Sequence, residues 1–512
     1  MAQLLKLEGQ KAQRTYYAEN YDHFSNLSEP IVHHIFGFLG TKDIARIGTL
    51  SKRCREMFIS SPYLKFASIC SYDNPLCKQF SDYVDRVLSL RNSSEIRSLS
   101  LRWVCDNNEC DVDVHLVDKW IDIAVRRGVQ EIEIEVGVRE DAMFNFPNFR
   151  DAVFKLPKCI FISRSLRVLK LDMRYNRLQE PTGALPSLED LSLCSLQVSE
   201  SCLEKWVSSA RPSLKRLTIS NVQGVFENLN IVSKSLEELD ISVLSCKLLK
   251  NVDISTERLG KLCLDLKTLF TRHLHSMKIA APNLQELTWI AGMASNVELS
   301  EFKLLKNATL SVGICNDYVE GFTIGNRLAK LFQSVRFVSA LQINSEVLET
   351  LFLRHRISVA LDSLRHLTIT VECLTRYHFS AFASLLAGLR NLQTLSLKCH
   401  RENRYPPDHS LWYRWKAVKF NEQHSNGFRN LLGDQLSMIE MELKGKGHEV
   451  VFFVGNMIKA AKGLRKITIV YSREYYSEML SKMRNEISAT ALLPLEVNLV
   501  EKEFGGYEDP EL

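Results

Sequence analysis

The sequence predicts an α/β fold, a solenoid of short stacked repeats in the form of a horseshoe with parallel strands on its concave face. A small all-α module is expected in front of it. Three observations predict this. A triplet of apolar residues, spaced three and then two positions apart, recurs from residue 96 to residue 469. Apolar residues at helical spacing precede several of the triplets. Residues 23–66 hold three consecutive short helical patterns.

The 512 residues are enough for several domains, or for one long solenoid and a small module. Hydrophobic residues make up 45% and charged residues 24%, as in ordinary globular proteins. A net charge of +5 on 65 basic and 60 acidic side chains is too slight, and too scattered, to point to nucleic acid. The 13 cysteines are odd in number and dispersed, with no Cys-x-x-Cys pair, and read as reduced thiols used as small hydrophobes. Cys263, between Leu262 and Leu264, is expected in the core. Cys105, Cys110 and His115 are the nearest approach to a metal cluster, but their spacing fits no standard zinc signature, so no metal is expected. The N-terminus lacks the apolar core of a signal peptide, and no run of apolar residues is long enough to span a membrane. The expected location is cytoplasmic, nuclear or both.

In chain order, residues 1–22 read as a polar tail and residues 23–66 as the helical module. Ser28 suits an N-cap, with Pro30 tolerated in the first turn. Ile31, His34, Ile35, Phe38 and Leu39 then share one helical face, and Gly40 is expected to end that helix. Thr41 or Asp43 starts a second helix, with Ile44, Ile47 and Leu50 on its apolar side. Ser51 caps a third, which carries Cys54, Met57 and Phe58 and stops at Pro62. Three helices in so short a stretch bury too little for comfortable stability alone, and a leftover apolar face suggests docking onto another protein.

Residues 67–95 read as a connector, and residues 96–399 as repeats. Leu166-Leu169-Leu171, Leu188-Leu191-Leu193, Leu214-Leu217-Ile219, Leu236-Leu239-Ile241, Leu259-Leu262-Leu264 and Leu284-Leu287-Trp289 start 22 to 26 residues apart, within the range of leucine-rich repeats. Leu364-Leu367-Ile369 and Leu392-Leu395-Leu397 continue the series. Leu116, Val117, Trp120, Ile121, Ala124 and Val125 form a helical face ahead of the strand Val129–Val136. Gly128 between them suits a positive φ just past the helix end. Leu203, Trp206, Val207 and Ala210 read as another helix, as do Phe379, Phe382, Leu385, Leu386 and Leu389. Each such unit has an apolar face that only its neighbours can bury, so stacking makes one core, with helices expected on the convex side. Residues between the leucines, such as Lys215, Arg216 and Thr218, point outward and are candidates for partner contact. The asparagine or cysteine ladder of the strictest repeats is missing at the equivalent positions, Arg174 and Val222. Residues 400–430 interrupt the series with Pro406, Pro407, Trp412, Tyr413 and Trp415 among basic residues, read first as a loop packed on the solenoid and second as a protein contact. Residues 431–500 resume the pattern at Leu436-Ile439-Met441 and Leu464-Ile467-Ile469, and residues 501–512 form a tail.

Within the helical module, Leu27, Ile31, Ile35, Leu39, Asp43, Leu50, Ser51, Lys52, Arg53, Arg55, Pro62 and Leu64 resemble the F-box pattern. Ser28 stands where that pattern has proline, and Cys54 where it has tryptophan. The run Trp120 to Val129 and the pair Leu156-Pro157 are similar to the plant F-box/leucine-rich-repeat family. Met438 to Ile469 is similar to the FBD region that ends many of its members. The resemblance covers most of the chain. It implies a receptor subunit of an SCF-type (Skp-cullin-F-box) ubiquitin ligase. The F-box docks on a Skp-type adaptor, and through it on a cullin scaffold, and the repeat surface captures an unknown protein substrate. Leu27, Pro30, Ile31, Ile35, Phe38, Leu39, Ile44, Ile47, Leu50 and Met57 would supply both the small helical core and the adaptor-facing surface, a division the sequence leaves open.

No catalytic residue and no cofactor are expected on the chain. It has no phosphate-cradling Gly-x-x-x-x-Gly-Lys-Ser/Thr and no nucleophile elbow. His448-Glu449 lacks the second histidine of a zinc-protease helix, and Gly445-Lys446-Gly447 reads as a turn. Two other readings stay open. One is a repeat scaffold whose F-box has degenerated at Ser28 and Cys54; the other is a small-molecule co-receptor of the same architecture.

Overall fold

The computed structural model describes residues 24 and 27–502 except 71–75, 92–93, 106–113, 139–152, 174–175, 211–212, 243–244, 247, 267–273, 314–320, 355–360, 372–380, 383–384, 387, 400–434, 444–453, 456, 459–460, 462, 473–480, 483, 486 and 488–494. The interruption at 400–430 lies outside them, as does Cys110. The chain forms two compact units, Met1–Gln197 with Ser208–Ser213, and Val198–Val207 with Leu214–Leu512.

The first unit begins with helices α1 (Glu29–Phe36), α2 (Thr41–Ile47) and α3 (Lys52–Ser60). Ser28 occupies the N-cap of α1 in extended backbone, but its side chain makes no cap bond. Ser51 is a full cap: its hydroxyl accepts from the Cys54 N–H at 3.0 Å. The expected end of α1 at Gly40 is corrected to Phe36. From Phe38 the chain tightens into three-residue turn bonds, Phe38 N–H to Ile35 O and Leu39 N–H to Phe36 O. Gly40 instead serves as N-cap of α2, with φ −71° and ψ 147°.

Strand β1 (Tyr63–Cys70) follows α3 directly, and helix α4 (Leu76–Ser89) occupies much of the stretch read as a connector. Strand β2 (Ser98–Cys105), helix α5 (Val114–Arg126), and strands β3 (Glu131–Val138), β4 (Val168–Asp172) and β5 (Asp190–Cys194) come next. Strands β1 to β5 pair in order, all parallel and in register. Trp120, Ile121 and Ala124 of α5 are buried as their spacing requires. Gly128 has φ +78°, the left-handed region where a glycine costs nothing. Phe80 of α4 meets Trp120 edge-on, and the Trp120 indole N–H donates to Asp85 Oδ1 at 2.8 Å.

In the second unit, besides a short parallel pair formed by Gln223–Val225 and Ser245–Cys246, helix α6 (Glu200–Ser209) precedes two longer sets of parallel strands. In chain order they are β6 (Arg216–Ser220), β7 (Asn228–Ser233), β8 (Glu238–Ser242), β9 (Asn251–Thr256), β10 (Lys261–Asp265), β11 (Ser276–Ala280), β12 (Glu286–Gly292), β13 (Asn296–Leu299) and β14 (Asn307–Gly313). Helix α7 (Gly321–Ser334) and strands β15 (Ala340–Asn344), β16 (His366–Val371), β17 (Thr394–Cys399), β18 (Met438–Leu443), β19 (Lys466–Tyr471) and β20 (Glu496–Glu501) follow. The main sheet takes β6, β8, β10, β12 and then β14 to β20 in order. Its apolar triplets face inward, with Leu217, Ile219, Leu239, Ile241, Leu262, Leu264, Leu287 and Trp289 all buried.

Helices do not cover the other side throughout. From Asn228 to Leu299 that place is taken by a second parallel sheet, β7-β9-β11-β13. Its strands alternate strictly: Leu229 and Ile231, Val252 and Ile254, Met277 and Ile279 are buried. A period of two is a strand signal, and repeats this short leave little chain for a helix and its turns. The second sheet brings its own polar ladder. Asn228 and Asn251 stand in register, and Asn251 Nδ2 donates to Asn228 Oδ1 at 2.9 Å. Glu200 of α6 closes the end of the ladder, accepting from the N–H groups of Glu227 and Asn228 and from Asn228 Nδ2.

The expectation for Cys263 is also corrected. It alternates with Leu262 and Leu264, so it lies on the outward side of β10 and is half-buried. Burial, and then the neighbouring Asp240 carboxylate, push its thiol up to about 11, so it stays protonated at neutral pH.

Candidate functional site

The ten apolar residues singled out in the helical module separate into three groups. Ile44 and Met57 are buried, and belong to the core. Leu27, Ile35, Leu39 and Ile47 are half-buried. Pro30, Ile31, Phe38 and Leu50 are exposed, Ile31 by 50%, Phe38 by 74% and Leu50 by 76%. Ile31, Ile35 and Phe38 sit at positions i, i+4 and i+7, so they share one side of α1 and the turn after it. The Phe38 ring meets His34 edge-on with centroids 5.1 Å apart.

What faces inward from α1 is the other pair, Val32 and Phe36, both fully buried. The sequence hides them, because α1 is apolar on nearly every side and its period alone does not say which side is core. Phe58 and Cys54 join them, with Leu64 and Phe66 from β1 below. Cys54 is therefore an interior residue. Exchanging a tryptophan for it changes how the module packs, and removes nothing from the exposed face.

The module is mounted on the first repeats through a buried arginine that the sequence did not flag. Arg91, just past α4, is only 1% exposed. Its guanidinium donates to the carbonyl oxygens of Phe58, at 2.5 Å, and Ser61, and lies over the Phe58 ring with its carbon 5.7 Å from the centroid. These carbonyls end α3, where the helix dipole is negative and the last C=O groups lack partners. Burial, and then the nearby Arg127, push the Arg91 pKa down to about 10, so it remains a cation at neutral pH. Two further ties reinforce it. Lys65 N–H of β1 donates to Thr41 Oγ1 at 2.7 Å, and Arg97 and Ser98 N–H both bond Pro62 O.

The repeat strands offer a second kind of surface. In β6, β8, β10 and β12 the outward column Arg216, Glu238, Lys261 and Glu286 alternates in charge, in register. In the first unit Lys170 pairs with Glu131 at 3.1 Å and Arg102 with Glu135 at 2.8 Å. Exposed pairs of this kind add little stability. Between the charged ends, Thr288, Thr309, Gln342, Thr368 and Ser396 line up as neutral donors and acceptors. An open cleft of about 860 Å³ includes Met438, Glu440, Lys466, Thr468, Arg484 and Asn498 in its lining. Among the described residues no group of three or more His, Cys, Asp or Glu could hold a metal ion, and no helix is long and apolar enough to cross a membrane.

These two surfaces, a helical module with an apolar outer face and an array of parallel α/β repeats, match known families in the same places. Residues 24–66 match the F-box domain. Residues 117–312 match the family described as FBD-associated F-box protein At5g56370, LRR repeats. Among relatives from Arabidopsis thaliana, putative F-box/LRR-repeat protein At3g58880 is 27% identical over 395 residues, covering 74% of this chain and 77% of the relative. F-box/LRR-repeat protein At3g58900 is 29% identical over 348 residues, 65% of this chain and 96% of the relative. Putative F-box/FBD/LRR-repeat protein At3g59240 is 25% identical over 390 residues, 74% and 69% of the two chains. The chain thus carries an F-box domain followed by FBD-associated leucine-rich repeats, and along most of its length it is similar to plant F-box/leucine-rich-repeat proteins.

Proposed function

We propose that this protein is the substrate-receptor subunit of an SCF-type ubiquitin ligase and performs no chemistry itself. Its F-box docks on a Skp-type adaptor, which carries the cullin scaffold, and the outward face of its repeats captures a protein substrate. The physical contribution is tethering: a captured substrate is held at high effective concentration beside the ubiquitin-charged enzyme. The observation that carries this reading is the outer face of the F-box. Ile31, Phe38 and Leu50 are large, apolar and exposed above a packed interior. Such a group of side chains is costly in water and profitable under a partner. Skp-type adaptors meet F-box proteins in the cytoplasm and nucleus, so that is where we place the action.

The test is binding of the full chain to immobilised Skp-type adaptors, for the natural sequence and for Phe38→Asp, Ile35→Asp and Leu39→Asp. Phe38→Asp is expected to abolish binding while thermal unfolding stays unchanged. Ile35→Asp and Leu39→Asp, at half-buried sites, are expected to abolish binding and also loosen the module. Binding retained by all three would remove the assigned face. Failure of the natural sequence to bind any adaptor would leave the repeat-scaffold reading in possession.

A further inference from the structure

The F-box and the first repeats meet through buried polar bonds rather than through a linker. Arg91 comes from the segment after α4, on the repeat side, yet its two terminal nitrogens are spent on Phe58 O and Ser61 O at the end of the last F-box helix. A guanidinium suits this place because its planar fork reaches two carbonyls at once, which an ammonium cannot do with one fixed geometry. Its charge is also matched to the negative end of α3. Around it, Thr41 binds the backbone of β1 and Pro62 O receives two N–H groups from the start of β2. The three small helices gain from the repeats the burial they cannot supply alone.

We propose that Arg91 is a positioning residue for adaptor docking: it holds α3, and with it the exposed face of the F-box, in binding-competent form without touching the adaptor. The F-box of this chain is then an extension of its first repeats and depends on them. This rests on the proposed adaptor role of the F-box, so the natural chain must first be shown to bind an adaptor. Loss of that control would defeat the earlier reading and the docking part of this one, while hydrogen exchange would still decide whether Arg91 holds α3 in place.

The experiment compares full-length Arg91→Met, Arg91→Lys and Thr41→Val with the natural chain and with Phe38→Asp. Adaptor binding and amide hydrogen exchange are read together. In Arg91→Met, amides of α2, α3 and β1 should exchange at least about tenfold faster, because two buried carbonyls lose their donors. Exchange in β4 and β5 should stay as it was, and adaptor affinity should fall by about tenfold or more. Arg91→Lys, which keeps charge but loses the fork, should recover only part of both. Thr41→Val, a near-isosteric change, should speed exchange at Lys65 and weaken binding to a smaller degree. It serves as the decisive variant if Arg91→Met does not fold. Phe38→Asp should lose binding with no change in exchange, which separates a contact residue from a positioning one. Unchanged exchange and affinity in Arg91→Met would overturn the proposal. If that variant does not fold, the same result in Thr41→Val would do so. Full recovery by Arg91→Lys would reduce the role to charge alone, and would equally overturn the assignment of the fork.

Discussion

The F-box and the repeat array use the same residues to opposite ends. In the repeats the apolar triplets vanish from the surface: Leu191, Leu217, Leu239 and Leu262 are each at most about 1% exposed. In the F-box, Phe38 and Leu50 are about three-quarters exposed. The difference is neighbours. A strand in the array has a parallel copy on each side, so every inward residue finds a match in register. Three short helices have one inner side, already filled by Val32, Phe36, Ile44, Met57 and Phe58. Whatever apolar surface remains must be covered by something else, and here the excess lies around the end of α1 and the end of α2.

The sharpest way to break this contrast is to truncate one large apolar side chain from each kind of place, beginning with a leucine of the array. Leu239→Ala in β8 removes a side chain packed between β6 and β10, and should cost about 2–5 kcal/mol by transfer and cavity terms. Chemical denaturation midpoints of the two proteins would show it. A loss below the lower figure would mean that the array relaxes around cavities far more than its close register suggests.

Much of this contrast is legible in the sequence, though unevenly. The triplets announce the main sheet because each repeats the same spacing against the same neighbours, and all of them are core. Gly128 and Ser51 are legible because a positive φ and an N-cap each demand a particular residue type. The second sheet is not announced in the same way. Leu229, Ile231, Val252 and Ile254 do alternate, but two apolar residues per strand are a faint signal beside the leucine triplets. Cys263 misleads for the same reason: flanking leucines say nothing about a residue that the pleat turns the other way. The split of the F-box residues between core and surface is illegible, since α1 is apolar on both sides. Arg91 is illegible altogether, because its role depends on carbonyls some thirty residues earlier in the chain.

The second sheet sharpens the comparison from the repeat side, at a middle scale. If stacking of like upon like stabilises the array, its polar ladder should matter as well as its leucines. Asn251→Ala removes one buried-edge amide bond and should cost about 1 kcal/mol. Glu200→Ala strips the cap from the ladder and should cost about 1 kcal/mol or less, discounted because the residue is only half-buried. The bond from Asn228 Nδ2, and then the backbone N–H groups, hold the Glu200 carboxyl below its ordinary value. The sign follows from that depression. The contribution is fully present above the ordinary carboxyl value of 4.5 and is lost as pH falls through the lowered folded value. Denaturation of natural and Glu200→Ala proteins should therefore converge in acid.

On the F-box side the matching truncation should do almost nothing to stability. Phe38→Ala removes a ring that is mostly in water already, and the change should stay within about 0.5 kcal/mol. Adaptor binding is where the loss should appear. A cost near that of Leu239→Ala would show that the exposed face is part of the core, and the contrast between the two regions would collapse.

The smallest effect lies at His33, beneath the exposed face of α1. Its ring is part-buried, with Nε2 3.1 Å from Ser60 Oγ, and the Ser60 hydroxyl donates to Glu29 Oε1 at 2.7 Å. Burial lowers the His33 pKa. Glu29, 3.5 Å away, works against that, and so does a hydrogen bond with the backbone of Met57, while Arg91 and Arg97 add to it. The folded F-box thus prefers the neutral ring, and the unfolded chain takes up the proton more readily. Stability is then complete above the unfolded value of 6.5 and declines as pH falls toward and through the lowered folded value. Denaturation at pH 7.5 and at pH near 5.5, on the natural protein and on His33→Asn, isolates the term. The natural protein should lose stability across that interval, and the variant should lose less. The same slope in both would place the acid sensitivity elsewhere. A slope of opposite sign would mean that Glu29 outweighs burial, and that the first turn of α1 is held by an ion pair rather than by a neutral hydrogen-bond chain through Ser60.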